Sequence, residues 1–285
     1  MSNITKLLDR LSINEWYTES YLEGVYFFKS SKSVPRAPLF YKSRIIIVWE
    51  GTKIGYLDGK TIQYNKDNYL VLSVPMAFEC ETIVEKDKKF LALIIDIDFK
   101  ILNEIVQNLW EHNIFSENME KKWVESVQME PALKDSVCKL LKTLESKEES
   151  KILWSNNLRE ILYRVLKGKH WVSLFALYDT NERFSKLAKI LNEINKNYSE
   201  NYYVKDLAKS MWMSEAAFFR YFKSVTGFPP IQYIKNIKLQ KAKELLISEN
   251  LLLKEVAKKI WYKSIPQFSR EFKRYFDVSP KSLNK

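Results

Sequence analysis

Apolar and polar positions in the first third of the chain follow the short period of β-strands. Between Val25 and Ile97 there are brief β-branched and aromatic runs such as VYFF, RIIIVWE, KIGYL, NYLVLSV and FLALIIDI, separated by Gly, Asp-Gly and Lys-Asp turns. Six or more short strands at this spacing predict a sandwich or barrel. Asp58 and Gly59, between KIGY and TIQY, predict a β-hairpin.

The period changes after Asp98. Apolar residues recur every three to four positions at Ile101, Ile105 and Leu109, and again from Val137 to Leu144, which predicts helices. The charged run ESKEES at 145–150 predicts a loop between helices. The run LREILYRVLKG then ends in Gly168, a helix stop signal, and the segment up to about residue 180 is predicted to be helical.

The last eighty residues contain one pattern written twice. The first copy is Leu207-Ala208, Ser214, Phe218, Arg220, Phe222-Lys223, Gly227 and Pro230; the second is Val256-Ala257, Ser264, Phe268, Arg270, Phe272-Lys273, Asp277 and Pro280. Each copy predicts a short helix, 204–211 or 253–260, then a turn and a second helix. Ser264 followed by Gln267 is a capping-box signature, so the last helix is predicted to begin at Ser264.

The second helix of each copy has one apolar and one basic face. Spacings of three and four place Phe218, Phe222 and Val225, and likewise Phe268, Phe272 and Tyr275, inward. A short helix, a tight turn and a helix with an exposed basic face form the helix-turn-helix arrangement, whose second helix enters the DNA major groove. A helical hairpin repeat used only for packing is the alternative, but packing does not require that outward Arg and Lys be repeated.

The net charge of the chain lies in the repeat half. Residues 181–285 carry 21 Lys and Arg against 10 Asp and Glu, a net +11 that equals the net charge of the whole chain. A neutral segment joined to a basic one predicts a polyanion partner for the second. A membrane surface would fit the charge but not the duplication, so no membrane partner is expected.

Between the two copies, Pro229-Pro230 precedes a run with helical period that extends to Leu246. This predicts a Pro-started helix of roughly four turns. It would hold the second helices of the two copies, which are the ones that enter the DNA, about one DNA turn apart, ~34 Å.

Residues 181–285 resemble the DNA-binding domain of the AraC/XylS family of bacterial transcription regulators. The matching stretches are VKDLAKSMWMSEAAFFRYFKSVTGFPPIQYIKNIKLQKAKELL and EVAKKIWYKSIPQFSREFKRYFDVSP. The stretches YNKDNYLVLSVPMAFECET and LREILYRVLKGKHW resemble the family subgroup with a cupin-like N-terminal β-barrel. The resemblance implies an α+β protein: a cupin-like sensor and dimerisation domain with a helical appendix at 1–180, and an all-α domain with two helix-turn-helix units at 181–285.

The resemblance also implies site residues. Base-reading positions fall on Ala216, Phe219 and Arg220 in the first unit and on Pro266, Gln267, Ser269 and Arg270 in the second. Arg recognises guanine and Gln recognises adenine, whereas Ala, Phe and Pro offer apolar contacts, for instance to thymine methyl groups. Lys223 and Lys273 are expected to contact phosphates, which position the protein without specifying sequence.

Tryptophan is unusually placed in this chain. There are 8 Trp and 6 Gly, and Trp212 and Trp261 stand at the equivalent turn positions where the family pattern has Gly. Such a turn favours Gly because one residue takes a positive φ. By the same resemblance, Gly is expected at Trp16, Trp49, Trp154 and Trp171. Our hypothesis is that a UGA codon decoded as glycine in the source was translated as Trp; a genuine adaptation, in which the paired Trp form a packing layer, is the alternative.

Enzymatic chemistry is not expected. Cupin enzymes bind metal through clustered His and a carboxylate, whereas this chain has only His112 and His170, both outside the strand region. We therefore predict no metal, no cofactor and no enzyme. Cys80 is a candidate sensor thiol for electrophiles, with a buried packing residue as the favoured alternative.

The resulting prediction is a cytoplasmic transcription regulator that responds to a small-molecule effector. Its expected partners are double-stranded promoter or operator DNA, RNA polymerase, and a second copy of the chain through the apolar face of the Val137–Leu144 helix. A different class of function stays open: a small-molecule-binding or enzymatic cupin-like protein whose helical tail mediates only protein contacts.

Overall fold

The computed structural model describes residues 3–57, 59–110, 122–168, 174, 183–248, 251–262 and 264–283. By its contacts the chain forms two compact units. The first unit comprises Met1–Arg36, Ser43–Val74 and Cys80–Ser185, and the second comprises Ala37–Lys42, Pro75–Glu79 and Lys186–Lys285.

The described strands form one ten-stranded sheet. They are β1 (Trp16–Glu19), β2 (Val25–Ser30), β3 (Val34–Tyr41), β4 (Arg44–Glu50), β5 (Thr52–Leu57), β6 (Lys60–Asn65), β7 (Asn68–Leu72), β8 (Met76–Ile83), β9 (Phe90–Asp96) and β10 (Val124–Gln128). The order is β1-β2-β9-β4-β7-β6-β5-β8-β3, with β10 also paired to β7. The half-barrel confirms the cupin-like architecture that the short strand runs and the resemblance predicted.

The predicted hairpin is β5–β6. These strands pair antiparallel from Thr52 with Asn65 to Leu57 with Lys60, which leaves a two-residue connection. Gly59 in that connection has φ +73, a value that favours glycine. The pairing confirms the hairpin, while Asp58 lies outside the described residues.

The middle strands of the sheet supply the core of the first unit. Residues 44–48 in β4 and 90–95 in β9 are buried at every position. Burial on both faces explains why these strands are continuous apolar runs rather than alternating ones.

Helices α1 (Asn3–Leu11), α2 (Phe99–Trp110), α3 (Pro131–Thr143) and α4 (Lys147–Lys167) also belong to the first unit. The Ser146 hydroxyl caps α4 by accepting a hydrogen bond from Glu149 N at 3.2 Å, and α4 ends at Gly168 as predicted. The prediction of a loop at 145–150 was wrong for most of that run. Its charged residues form the solvated first turn of α4, where Glu is favoured beside the positive end of the helix dipole.

The apolar face of α3 is covered within the same unit. Val137, Leu140, Leu141 and Leu144 are buried, and α3 packs against α4. The prediction that this face mediates dimerisation was therefore wrong, because the chain itself already occupies it.

The second unit is mainly helical. It contains α5 (Arg183–Lys196), α6 (Val204–Ser210), α7 (Glu215–Thr226), α8 (Pro230–Ser248), α9 (Leu253–Lys259), α10 (Ile265–Phe276) and a short 3₁₀ helix, Pro280–Ser282. Helix α8 is the predicted Pro-started helix, and it is one turn longer than expected. Two side chains of α8 donate to backbone carbonyls of this unit: Gln240 Nε2 to Pro38 O in β3 at 3.3 Å, and Tyr233 Oη to Pro75 O, just before β8, at 2.8 Å.

Candidate nucleic-acid interface

Both copies of the repeated pattern fold into the same pair of helices. In the first copy α6 is followed by a short turn and α7, and the Ser214 hydroxyl accepts from Ala217 N at 3.3 Å. In the second copy α9 is followed by α10, and the Ser264 hydroxyl accepts from Gln267 N at 3.4 Å. The cap at Ser264 confirms the predicted beginning of α10, and Ser214 caps α7 in the same way; α7 and α10 are called the reading helices below.

The inward faces of the reading helices are aromatic. Phe218 and Phe222 on α7, and Phe268 and Phe272 on α10, are fully buried. Val225 is buried as well, whereas Tyr275 is only partly so. Ala208 in α6 and Ala257 in α9 are buried as well, and Ala257 belongs to the same core cluster as Phe268 and Phe272.

The outward faces carry the residues that the resemblance assigns to DNA. The solvent-exposed ones are Ala216, Phe219, Arg220 and Lys223 on α7, and Pro266, Gln267, Arg270 and Lys273 on α10. Ser269 is only partly exposed, unlike the other residues of the set. Each reading helix therefore exposes an Arg and a Lys about one turn apart at equivalent positions, and α10 also exposes Arg274.

The turns of both helix pairs contain tryptophan in a left-handed backbone conformation. Trp212 has φ 56 and Trp261 has φ 57, and their side chains are 89% and 66% exposed. A bulky L-residue resists this region, and so much exposure leaves little side-chain burial to offset the strain. The geometry thus requires at both turns the conformational freedom that glycine has.

The other Trp residues at which the family resemblance predicts Gly differ in their backbone conformation. Trp16 has φ 72 and meets the same condition. Trp49 lies at the irregularity between Val48 and Glu50 in the β4–β9 pairing, while Trp154 lies inside α4, where the backbone is regular helix. Trp171 lies outside the described residues. Positive φ therefore supports the glycine hypothesis at Trp16, Trp212 and Trp261 alone.

The residue that caps the C-terminus of each reading helix also has a positive φ. Gly227 ends α7 with φ 75, and Asp277 ends α10 with φ 57. Asp tolerates this conformation better than most residues because its short polar side chain can bond locally. The replacement of Gly by Asp in the second copy is thus compatible with the same ending.

A hydrogen-bonded cluster is centred on Glu271, in the middle of the second reading helix. The Glu271 carboxylate accepts from Gln267 Nε2 at 3.0 Å, from Lys235 Nζ at 3.3 Å and from Tyr262 Oη at 2.8 Å. Burial alone would raise the pKa of Glu271, but the three donors outweigh it and lower that pKa. Burial and the neighbouring carboxylate raise the pKa of Tyr262.

Family comparisons agree with this geometry. A family model described as the AraC-type transcriptional regulator N-terminus matches residues 21–172, and one described as a helix-turn-helix domain matches residues 207–285. The first match alone spans more than half of the chain. The chain belongs to the AraC/XylS family.

Individual AraC/XylS relatives are distant. The lactose operon transcription activator of Staphylococcus xylosus is 28% identical over 155 residues, half of each chain. The uncharacterised HTH-type transcriptional regulator YdeC of Bacillus subtilis is 22% identical over 87% of this chain and 86% of its own. An apo variant of ToxT from Vibrio cholerae has a TM-score of 0.63 over 94% of this chain and 98% of its own at 13% identity, which shows a shared fold.

The N-terminal unit of this AraC/XylS chain contains a buried cation that the sequence analysis did not single out. Lys53 on β5 is buried, with Nζ 4.9 Å from the ring centre of Phe28, and its burial lowers its pKa. Cys80 on β8 is 2% exposed. This burial favours the packing interpretation of Cys80 over a sensor thiol.

The described residues hold no group of three or more His, Cys, Asp or Glu that could bind a metal ion. His112 and His170 both lie outside those residues. Within the same ranges, none of the helices is long and apolar enough to cross a bilayer.

Proposed function

We propose that this chain is a sequence-specific regulator that binds promoter or operator DNA through α7 and α10. The observation that carries the proposal is the duplicated, capped helix pair, each copy exposing Arg and Lys on its reading helix. Duplication places the same basic face twice in one unit, as a monomer needs if it is to contact two successive major grooves.

The exposed side chains divide into two roles. Arg220 and Arg270 recognise guanine O6 and N7, and Gln267 recognises adenine, because these side chains can make two hydrogen bonds to one base. Apolar contacts come from Ala216, Phe219 and Pro266, with a hydrogen bond from Ser269 where it reaches the DNA. Lys223 and Lys273 contact phosphates.

Helix α8 is the spacer between the reading helices. Its 19 residues give a rod of about 28 Å at ~1.5 Å per residue. A spacer of this length suits two reading helices about one DNA turn apart, and it predicts a site of roughly 17–20 base pairs.

The proposal includes an effector for the domain at 1–180, leaving 181–285 as the DNA-binding domain. The N-terminal family match supports this division, and a ToxT structure of the same fold is described as bound to an unsaturated fatty acid. Thermal unfolding and operator affinity should be measured with an unsaturated fatty acid and with lactose. An effector raises the unfolding temperature and changes operator affinity together; a compound that changes neither is not one.

The other parts of the proposal are those expected of a protein that regulates a bacterial promoter. We include cytoplasmic location, contact with RNA polymerase and a second copy of the chain in the proposal, and sedimentation with and without operator DNA tests the last. The alternative of a cupin-like protein with a protein-binding tail is not supported, since the relatives named above are transcription regulators.

Selection from random duplex DNA tests the proposal. The full chain and its Trp212→Gly, Trp261→Gly double variant are each expected to enrich one motif with two separated half-sites. Enrichment by the double variant alone would keep the function and mark the two Trp as inactivating. Failure of both proteins to enrich any motif would refute the proposed function.

Salt dependence separates phosphate contacts from base contacts. Replacing Lys223 or Lys273 by Ala is expected to weaken binding about equally on every DNA sequence, and to reduce the slope of log affinity against log salt by about one for each residue. Filter binding at several salt concentrations measures this slope. A variant that keeps the parental slope would exclude that lysine from phosphate contact.

A further inference from the structure

Glu271 stands out because it is an acidic side chain beside a surface expected to meet phosphates. Its side chain is 14% exposed, and its donors come from three different elements: Gln267 from α10, Lys235 from α8, and Tyr262 from the turn between α9 and α10. The positive charge of Lys235 compensates the negative charge of the Glu271 carboxylate, so this carboxylate is ion-paired within the cluster.

The contact between Glu271 and Gln267 restricts the Gln267 amide. An ionised carboxylate only accepts hydrogen bonds, so the amide must turn Nε2 rather than Oε1 toward it. Gln267 is exposed and lies one helical turn before Glu271. One Nε2 hydrogen is thus committed to Glu271, and the exposed edge keeps one acceptor, Oε1, and one donor, the second Nε2 hydrogen.

That exposed edge has the pattern needed to recognise adenine in the major groove. Adenine presents the N6 donor and the N7 acceptor, whereas guanine presents two acceptors, O6 and N7. A Gln amide that is free to turn over can satisfy several bases, because it can offer either end. An amide with its nitrogen fixed against a carboxylate offers one arrangement of donor and acceptor.

We propose that Glu271 is a specificity-determining positioning residue: it orients the Gln267 amide so that α10 selects adenine at one position of the operator. Glu271 itself does not contact the base. The cluster anchors this orientation to the turn through Tyr262 and to the linker helix through Lys235. The inference rests on the proposed DNA-binding function and deepens it.

The test is selection of DNA sites by Glu271→Gln, in whichever of the two parental proteins enriches a motif. The new Gln is nearly isosteric but can both donate and accept, so it no longer dictates which end of Gln267 faces it. Preference for adenine at one position is expected to fall about tenfold, while the other positions keep theirs. Affinity for all sequences is expected to rise slightly, because one negative charge near phosphate is lost.

A double-mutant cycle separates orientation from stability. Gln267→Ala is expected to lose preference at the same position, and adding Glu271→Gln to it should lose nothing further there, because Glu271 acts through Gln267. If the carboxylate only stabilised the turn, its loss would also act in the Gln267→Ala background. Chemical denaturation of each variant confirms that it is folded.

Glu215→Gln is the matched control, since it removes the same charge from the first reading helix, α7. It should leave the preference at that position unchanged. Unchanged adenine preference in Glu271→Gln, or a further loss in the double variant, overturns the inference while the proposed function stands. If neither parental protein enriches a motif, the proposed function fails, and this inference fails with it.

Discussion

Replacing Trp212 and Trp261 by glycine is expected to raise the free energy of unfolding by about 1 kcal/mol for each residue. Both residues have a positive φ, where an L-residue is strained by roughly 1–2 kcal/mol and glycine is not. The added flexibility of glycine in the unfolded chain offsets part of this gain. The exposed indole rings contribute little burial that could be lost.

Trp154→Gly supplies the control with the opposite sign. Trp154 lies inside α4 in regular helix, where glycine is about 1 kcal/mol less favourable than alanine. The same chemical change is therefore expected to lower stability at 154 and to raise it at 212 and 261. Urea denaturation of the three single variants measures this. If glycine lowers stability at the two turns as well, the Trp side chains contribute contacts that outweigh the strain.

The glycine hypothesis also makes a direct chemical prediction. If UGA is read as glycine in the source, the intact mass of the native protein will fall short of the mass calculated with the chain's 8 Trp. A native mass that matches eight Trp would refute the hypothesis. The strained turns would then belong to the natural protein, as backbone outliers between the two helices of each DNA-binding motif.

Much of the second unit could be predicted because its signals are local. The caps at Ser214 and Ser264 and the spacing of the buried Phe residues involve positions three or four apart, so a single helical turn reveals them. The strand runs were equally local, and the β5–β6 hairpin followed from one turn. Helix pairs, strands and the outward basic residues were therefore all accessible to sequence reasoning.

The features that were missed depend on contacts between distant residues. Lys235 meets Glu271 across 36 positions, and Lys53 is enclosed by aromatic rings from β2 and β9. No local pattern indicates either contact. The apolar face of α3 illustrates the same limit, because amphipathic spacing shows that a face will be covered but not whether the same chain or a partner covers it.

Replacing Arg220 or Arg270 by Ala is expected to reduce affinity for the selected operator by roughly 1–3 kcal/mol each. Both are exposed at equivalent positions of their reading helices, and each guanidinium can bond guanine O6 and N7 together. Loss of these two hydrogen bonds should remove the preference for guanine at one position in one half-site. The two half-sites are separated, so the losses in the double variant should be close to additive.

Lysine at the same positions distinguishes base recognition from charge. Arg220→Lys and Arg270→Lys keep the positive charge but lose the planar fork that makes two bonds to one base. We expect each to keep the salt dependence of the parent while losing most of the guanine preference, whereas Ala loses both. Competition binding on operator variants with each base at the affected position measures the preference. If Lys restores full discrimination, these residues act as general cations, and sequence must be recognised elsewhere on α7 and α10.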